Sequence, residues 1–176
     1  MDILVSSNLE RLIFYLTGED PVQTASLMAD LKATGQYQLT PTMRQAIKDF
    51  WAGFVTEGQD QAEIHHLSAH HHYTIDPHTA VASAVAKQYR TATKDQRPMV
   101  VVSTASPYKF PQAVLSAITG TAIDVDGLTA VDQLHELIKT PIPATVEKLR
   151  EAPIRHDQVT ETAKMGAAIQ QILHLN

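Results

Sequence analysis

One segment of the chain places hydroxyl groups and a lysine where they could meet a ligand. Residues 102–111 (VSTASPYKFP) follow a run of valines and contain Ser103, Thr104 and Lys109. In α/β proteins, ligands bind at the carboxyl ends of parallel strands. A Ser or Thr hydroxyl at such a point can donate to an unprotonated pyridine nitrogen or hold a phosphate oxygen. Thr104 and Ser106 could equally serve as caps of the helix that follows.

A second segment, residues 73–81 (YTIDPHTAV), combines an acid, a histidine and a threonine at a predicted helix start. Asp76 is a good N-cap, and His78 and Thr79 fall in the first turn, where backbone N–H groups favour anions. The commoner use of such a sequence is a plain cap beside a partly buried histidine. Both interpretations stay open at this point.

Five histidines lie close together just before this second segment, within residues 65–72. Two of them are four residues apart, so one helix face could present both to zinc or nickel. No carboxylate or thiolate completes a site, and five residues in this spacing cannot all face one way. We assign no metal site here and keep a metal-binding protein as an alternative function. The histidines are His65, His66, His70, His71 and His72.

Capping residues and prolines predict four helix starts in the first third of the chain. The helix after the third start is expected to continue through Met43 to Phe54, whose apolar residues recur at helical spacing. Tyr73–Ile75 is expected to be extended, because the residue before a proline-started helix is biased away from helix. The four starts are Ser7 with Glu10, Asp20 with Pro21, Thr40 with Pro41, and Asp60 with Glu63.

Residues 99–103 (MVVVS) are the one predicted strand. A short β-branched run without polar alternation is typical of a parallel strand covered on both faces. Such a strand needs neighbours, which would be residues 3–5 or elements outside the chain. We therefore predict a helix-dominated α/β fold, a partial three-layer lobe with few parallel strands followed by C-terminal helices. Further helices are predicted over 77–90, 110–118, 129–139, 143–151 and 157–174.

The overall composition excludes several classes of protein. The chain has 176 residues, is 44% hydrophobic and carries a net charge of −5, and its basic residues are scattered. These values argue against nucleic-acid binding. The absence of cysteine excludes disulfides and thiolate zinc sites. No apolar run reaches membrane-span length and no signal peptide is recognised, so we expect a cytoplasmic protein.

Three motifs occur in an order and at intervals that resemble the bacterial and fungal type of threonine synthase. Residues 6–11 (SSNLER) are similar to the SSN-x-ER helix start of that family, residues 75–81 to its IDPHTAV segment, and residues 103–111 to its STASP-x-KFP segment. The resemblance covers about residues 1–120 and is generic beyond. It implies two parts, residues 1–120 from the catalytic domain and residues 121–176 as a C-terminal helical segment.

The resemblance implies a pyridoxal-phosphate (PLP) enzyme of the tryptophan-synthase-β fold type, a lyase of threonine biosynthesis. Such enzymes convert O-phospho-L-homoserine and water to L-threonine and phosphate. By motif position Thr104 would face the pyridine nitrogen, with Ser103 as the alternative. Asn8, Arg11 and Lys109 would contact the substrate. Arg11 could instead form an ordinary surface pair with a neighbouring acid.

The resemblance also indicates what this chain lacks. The family's Schiff-base lysine and its Gly-Asn-rich phosphate loop lie in an earlier segment, so no catalytic residue is assigned here. We expect the chain to need the N-terminal part of the same protein, to be inactive alone, and to self-associate through the apolar surface left uncovered. A non-catalytic helical module that binds or regulates is the other alternative.

Overall fold

A computed structural model describes residues 6–155 and 157–174, and within these residues every regular element is helical. The chain forms two compact units, Met1–Val55 with Val85–Met99, and Thr56–Ala84 with Val100–Asn176. None of the described helices is long and apolar enough to cross a membrane. The helices are α1 (Ser7–Leu16), α2 (Pro21–Thr34), α3 (Pro41–Ala46), α4 (Glu57–His71), α5 (Pro77–Thr93), α6 (Pro111–Thr119), α7 (Gly127–Ile138), α8 (Ala144–Glu147) and α9 (Met165–Ile172), with 3-10 helices at Pro107–Lys109 and Thr162–Lys164.

Two helix starts agree with their predicted caps. The Asp20 carboxylate accepts hydrogen bonds from the N–H groups of Val22 and Gln23 at 2.8 and 3.0 Å, and so begins α2. The same helix ends at Gly35, whose φ of 77° is one that residues with a Cβ rarely adopt. Thr40 caps α3 through the N–H of Met43.

The other two predicted caps were wrong in detail. Ser6, not Ser7, caps α1 and accepts from the N–H of Leu9. Helix α4 begins one turn before the predicted Asp60–Glu63 pair, because Thr56 and Gln59 form a reciprocal capping box there. That box satisfies two backbone donors at once, and it moves Asp60 into the helix.

The prediction that the third helix runs to Phe54 was also wrong, since α3 ends at Ala46. The chain that follows packs along α5 instead. The ring of Trp51 meets that of Tyr89 edge-on at 5.7 Å, and the Gln88 amide donates to the carbonyl of Phe54 at 3.0 Å. These contacts reach more than 30 residues along the chain, so periodicity could not reveal them.

The first unit has a small apolar core. Ile13 of α1, Leu27 of α2 and Met43 of α3 are buried together, so the three short helices share one core. Around them lie the partly buried Leu16, Met28, Tyr37 and Leu39.

The second unit contains the larger core. Helix α6 packs against both α4 and α7 and supplies Val114 and Leu115 to the centre. Ile75 precedes α5 and is buried in the same cluster, so the extended stretch before that helix is held by packing. The remaining buried members are Ile64, Ala80, Tyr108, Ala117, Ala130, Val131 and Leu134.

The predicted strand at residues 99–103 is not formed among the described residues. No backbone–backbone hydrogen bond joins this segment to another described residue, and Val100 and Val102 are 90% and 71% exposed. A strand exists only when a neighbour completes its ladder. The proposed neighbour at residues 3–5 lies outside the described residues. The helix-dominated character is confirmed, and the partial α/β lobe with parallel strands is not.

The last third of the chain is less helical than expected. Only Ala144–Glu147 of the predicted helix over 143–151 is α-helical, and α9 covers less than half of the stretch predicted over 157–174. The division into residues 1–120 and 121–176 follows from the family resemblance and stays a prediction.

Candidate functional site

A cleft of about 710 Å³ opens in the second unit beside the 3-10 helix Pro107–Lys109. One wall comes from the segment after the valine run, and the others come from the start of α7 and from α8 with the residues after it. Its lining combines polar groups with an apolar wall, as small-molecule sites do. The lining includes Thr104, Lys109, Asp126, Val131, Val146 and Leu149.

Thr104 is exposed on this cleft, and none of the described residues hydrogen-bonds to its hydroxyl. The helix-capping alternative applies to Ser106, whose hydroxyl accepts from the N–H of Tyr108 at 3.3 Å. Thr104 is therefore not needed as a cap. Its hydroxyl is available to a ligand in the cleft.

Ser103, the alternative to Thr104, is already engaged within the protein. Its Oγ lies 3.0 Å from the Thr79 hydroxyl oxygen and 3.4 Å from the carbonyl oxygen of Ala105. Because the Thr79 proton is donated to the Asp76 carboxylate, the single Ser103 proton is donated to Thr79, the nearer of the two acceptors. Of the two predicted hydroxyls, Thr104 is thus the one free to donate to a ligand.

Lys109 brings positive charge to the same cleft. Its side chain is exposed, and its ammonium lies 5.4 Å from the centre of the Phe110 ring. Helix α6 begins two residues later without a side-chain cap. A free ammonium beside an uncapped helix start makes this edge of the cleft favourable to anions.

The floor beside Lys109 is formed by a buried tyrosine that sequence reasoning did not single out. The Tyr108 hydroxyl donates to the carbonyl of Thr140, and Nδ1 of His135 lies 2.9 Å from the same carbonyl. The proton of His135 is therefore on Nδ1. Burial raises the pKa of Tyr108, which keeps it a donor. His135 carried no recognisable sequence signal, because its partners lie on other elements.

The segment at residues 73–81 contacts the segment at residues 102–111, which forms one wall of the cleft. Asp76 is fully buried, and its carboxylate accepts from the N–H groups of His78 at 2.9 Å and Thr79 at 3.4 Å. The His78 ring stands edge-on to Phe110, with ring centres 5.1 Å apart. The cap interpretation of Asp76 is supported, and the capped helix start touches the cleft-forming segment.

Asn8 and Arg11 lie on α1 in the first unit, and both are exposed. The Arg11 guanidinium donates to the Asn8 side-chain oxygen, and no ion pair of Arg11 is found among the described residues. The pair is therefore mutually oriented. Its substrate role stays a prediction.

Three rings of the histidine cluster lie close together, one pair tilted by 49° and the other edge-on at 73°. The His66 ring centre lies 4.9 Å from that of His70 and 5.6 Å from that of His71. In the part of the chain that the structure describes, no three His, Cys, Asp or Glu side chains converge in a way that could hold a metal ion.

Two acids on α4, taken from the sequence as caps, are instead part of the interior. Glu63 is buried and accepts from the Ser83 hydroxyl at 2.6 Å. The Oδ1 atom of Asp60 is buried and has no hydrogen-bond partner among the described residues. Burial raises the pKa of Asp60 to about 6.

Comparison with known proteins identifies the family. Residues 79–172 match the family model described as "Threonine synthase, C-terminal". The chain is 37% identical over 123 residues to threonine synthase of Pseudomonas aeruginosa, and 32% identical over 135 residues to that of Saccharomyces cerevisiae. These alignments cover 69% and 68% of this chain but only 26% of each relative. The chain therefore spans about a quarter of their length.

Solved structures agree with this result. A PLP-bound threonine synthase from Brucella melitensis matches with a TM-score of 0.59 and 33% identity, over 80% of this chain and 29% of that one. Yeast threonine synthase matches with a TM-score of 0.69 and 26% identity, over 99% of this chain and 35% of that one. The chain belongs to the threonine synthase family and corresponds to its C-terminal portion.

Proposed function

We propose that this chain supplies the C-terminal part of a threonine synthase active site. The reaction would convert O-phospho-L-homoserine and water to L-threonine and phosphate, with PLP as cofactor, in the cytoplasm. The observation that carries the proposal is the free Thr104 hydroxyl on the cleft, within a segment that matches the family model. The PLP-bound relative from Brucella supports the choice of cofactor.

The residues of the cleft fit a pyridine ring. An unprotonated ring nitrogen is an acceptor only, and Thr104 offers a neutral hydroxyl donor with no competing partner among the described residues. Val131, Val146 and Leu149 give the cleft an apolar side on which a flat ring can lie. When bound, PLP would supply an electron sink, and a neutral partner at its nitrogen keeps that sink weak enough to favour elimination and replacement.

The charged groups of the cleft suggest how substrate would be held. Lys109 is exposed there and would attract the phosphate or carboxylate of the substrate. Asp126 lines the same cleft, but its carboxylate is occupied by the N–H groups of Leu128 and Thr129. Asn8 and Arg11 are proposed as further substrate contacts, on the motif that they share with the family.

The N-terminal portion of the family protein would complete the site as this chain's partner. It would bring the Schiff-base lysine and the phosphate loop, neither of which is recognised in this sequence. The exposed valines at residues 100–102 would provide the strand to which it adds. On this basis the chain alone is inactive.

A chimera tests the proposal directly. This chain would replace the corresponding C-terminal segment of the Pseudomonas enzyme, and phosphate release from O-phospho-L-homoserine would be measured. We expect activity in the chimera, a loss of at least about tenfold in Thr104→Val, and near-complete recovery in Thr104→Ser, since one hydrogen bond of about 1.4 kcal/mol corresponds to tenfold. Equal activity of the valine and threonine forms would refute the role of Thr104.

A labelling experiment tests the inactivity of the chain alone. The chain would be incubated with PLP, reduced with borohydride and digested, and the peptides would be examined by mass spectrometry. We expect only scattered, substoichiometric labelling of surface lysines. One lysine labelled stoichiometrically would contradict the proposal that the cofactor lysine comes from the partner.

A further inference from the structure

Two helices, α5 and α7, begin within the second unit with the same arrangement of capping residues. In both, an aspartate precedes the helix and a threonine follows three positions later. Asp126 accepts from the N–H groups of Leu128 and Thr129 and from the Thr129 hydroxyl. Asp76 does the same at α5 with His78 and Thr79. As local caps the two are equivalent.

The two caps differ in burial and in whether the threonine also contacts a residue distant in sequence. The Thr129 side chain is exposed, and among the described residues its hydroxyl hydrogen-bonds only to Asp126, whereas Thr79 is 5% exposed and Asp76 is fully buried. The Thr79 hydroxyl lies between the Asp76 carboxylate, to which it donates, and Ser103 Oγ, 3.0 Å away. That last contact joins residues 24 positions apart. Capping requires no such contact.

The contact between Thr79 and Ser103 bears on the position of Thr104, the next residue in the chain. The Thr79 proton is donated to Asp76, so Ser103 donates its own proton to Thr79 Oγ at 3.0 Å, and its hydroxyl is occupied. No backbone–backbone hydrogen bond from another described residue holds Ser103 or Thr104. The side-chain contact with Thr79 thus joins α5 directly to the residue before Thr104.

We propose that Thr79, braced by the buried Asp76, is a positioning residue that fixes Ser103 and thereby directs the Thr104 hydroxyl into the cleft. This inference rests on the proposed function for its catalytic consequence, but the contact itself can be tested without it. Thr79 would touch neither substrate nor cofactor.

The first experiment uses the chain alone, labelled with ¹⁵N. The {¹H}–¹⁵N nuclear Overhauser effect would be measured for the amides of Ser103, Thr104 and Ala105. We expect the effect to fall clearly in Thr79→Val, which removes the hydroxyl while keeping the shape, and to recover in Thr79→Ser. Thr129→Val is the matched control, because it removes the equivalent cap hydroxyl at α7 and should leave these three amides unchanged.

Two results of this experiment would overturn the inference. One is an unchanged Overhauser effect at residues 103–105 in Thr79→Val. The other is an equal fall in Thr79→Val and Thr129→Val, which would mean that loss of a helix cap alone explains the change. Thermal unfolding of each variant would show that the spectra compare folded proteins.

The second experiment uses the chimera and measures what a purely structural residue would not change. We expect Thr79→Val to lower kcat on the order of tenfold with little change in KM, because a misdirected hydroxyl loses one transition-state hydrogen bond. Thr79→Ser should restore kcat. An altered Overhauser effect with unchanged kcat would overturn the positioning role. An inactive unmodified chimera would instead refute the proposed function, while the amide measurement still decides the contact.

Discussion

At the scale of single residues, three neighbouring hydroxyls at the cleft differ in their hydrogen-bond partners. Thr104 is free, Ser103 is held by Thr79, and Ser106 caps the next turn. All three lie within four positions of one another. Their different roles come from contacts made elsewhere in the fold, above all by Thr79 of α5.

Asp60 leads to a prediction about pH. Its carboxylate has a pKa near 6 in the folded protein, against an ordinary value of 3.8, because burial disfavours the charged form. The folded state therefore binds this proton more readily, and stability falls as the pH rises through the interval between the two values. We expect Asp60→Asn, which is never ionised, to raise the melting temperature at about pH 8 and to have little effect at about pH 4.

Melting curves of the wild type and the variant across this pH range measure the effect. Asp124→Asn is the control, since Asp124 is exposed and its carboxylate forms no hydrogen bond or ion pair with a described residue. A gain in Asp60→Asn that is the same at both ends of the range would show that the Asp60 charge is not its cause.

Much of the residue-scale picture was accessible from the sequence, and its limits are physical. Motif position selected Thr104, Ser103 and Lys109 as candidate site residues. In the structure Thr104 and Lys109 line the same cleft. The sequence did not indicate that Tyr108 lies at the cleft with His135 beside it, or that the Asp60 carboxylate is buried. Their state depends on desolvation and on partners distant in sequence, which no local pattern encodes.

At the scale of elements, local capping chemistry decides where helices begin. The start of α2 illustrates the energetic size of the effect. Asp20 satisfies two backbone donors that would otherwise have no partner in the helix. We expect Asp20→Ala to lower the free energy of unfolding by about 1 kcal/mol. Urea denaturation followed by circular dichroism provides the measurement.

Asp30→Ala is the matched control for this prediction. Asp30 lies on the same helix, is exposed, and its side chain makes no hydrogen bond with a described residue. It therefore reports the effect of removing an acid from α2 without removing a cap. Equal losses in the two variants would show that the Asp20 contacts contribute nothing beyond charge.

The elements also show why sequence prediction failed where it did. Caps at Asp20, Thr40 and Asp76 involve residues two or three positions apart, so a short motif is sufficient to identify them. The end of α3 depends on Trp51 and Phe54 contacting α5, and the strand at residues 99–103 depends on a neighbouring strand. Non-local partners determine both, and local periodicity contains no record of them.

At the scale of the whole molecule, the valine segment connects the fold to the proposed assembly. Val100 and Val102 are both largely exposed, and residues two positions apart project to the same side once a segment joins a sheet as a strand. Apolar side chains adjacent to unpaired backbone groups form a surface to which another strand can add. In the family this chain covers only about a quarter of the protein. We propose that the remaining portion covers these valines.

The corresponding prediction is that the chain self-associates when that portion is absent. We expect sedimentation velocity to show a sedimentation coefficient that increases with protein concentration. Burying a valine side chain contributes about 1.5–3 kcal/mol, and about 1.4 kcal/mol corresponds to tenfold in affinity. The double variant Val100→Thr with Val102→Thr should therefore weaken association by at least about tenfold. Val22→Thr is the control, since Val22 is an isolated exposed valine at the start of α2. A clean monomer at high concentration, or association unchanged in the double variant, would show that these valines do not form the contact surface.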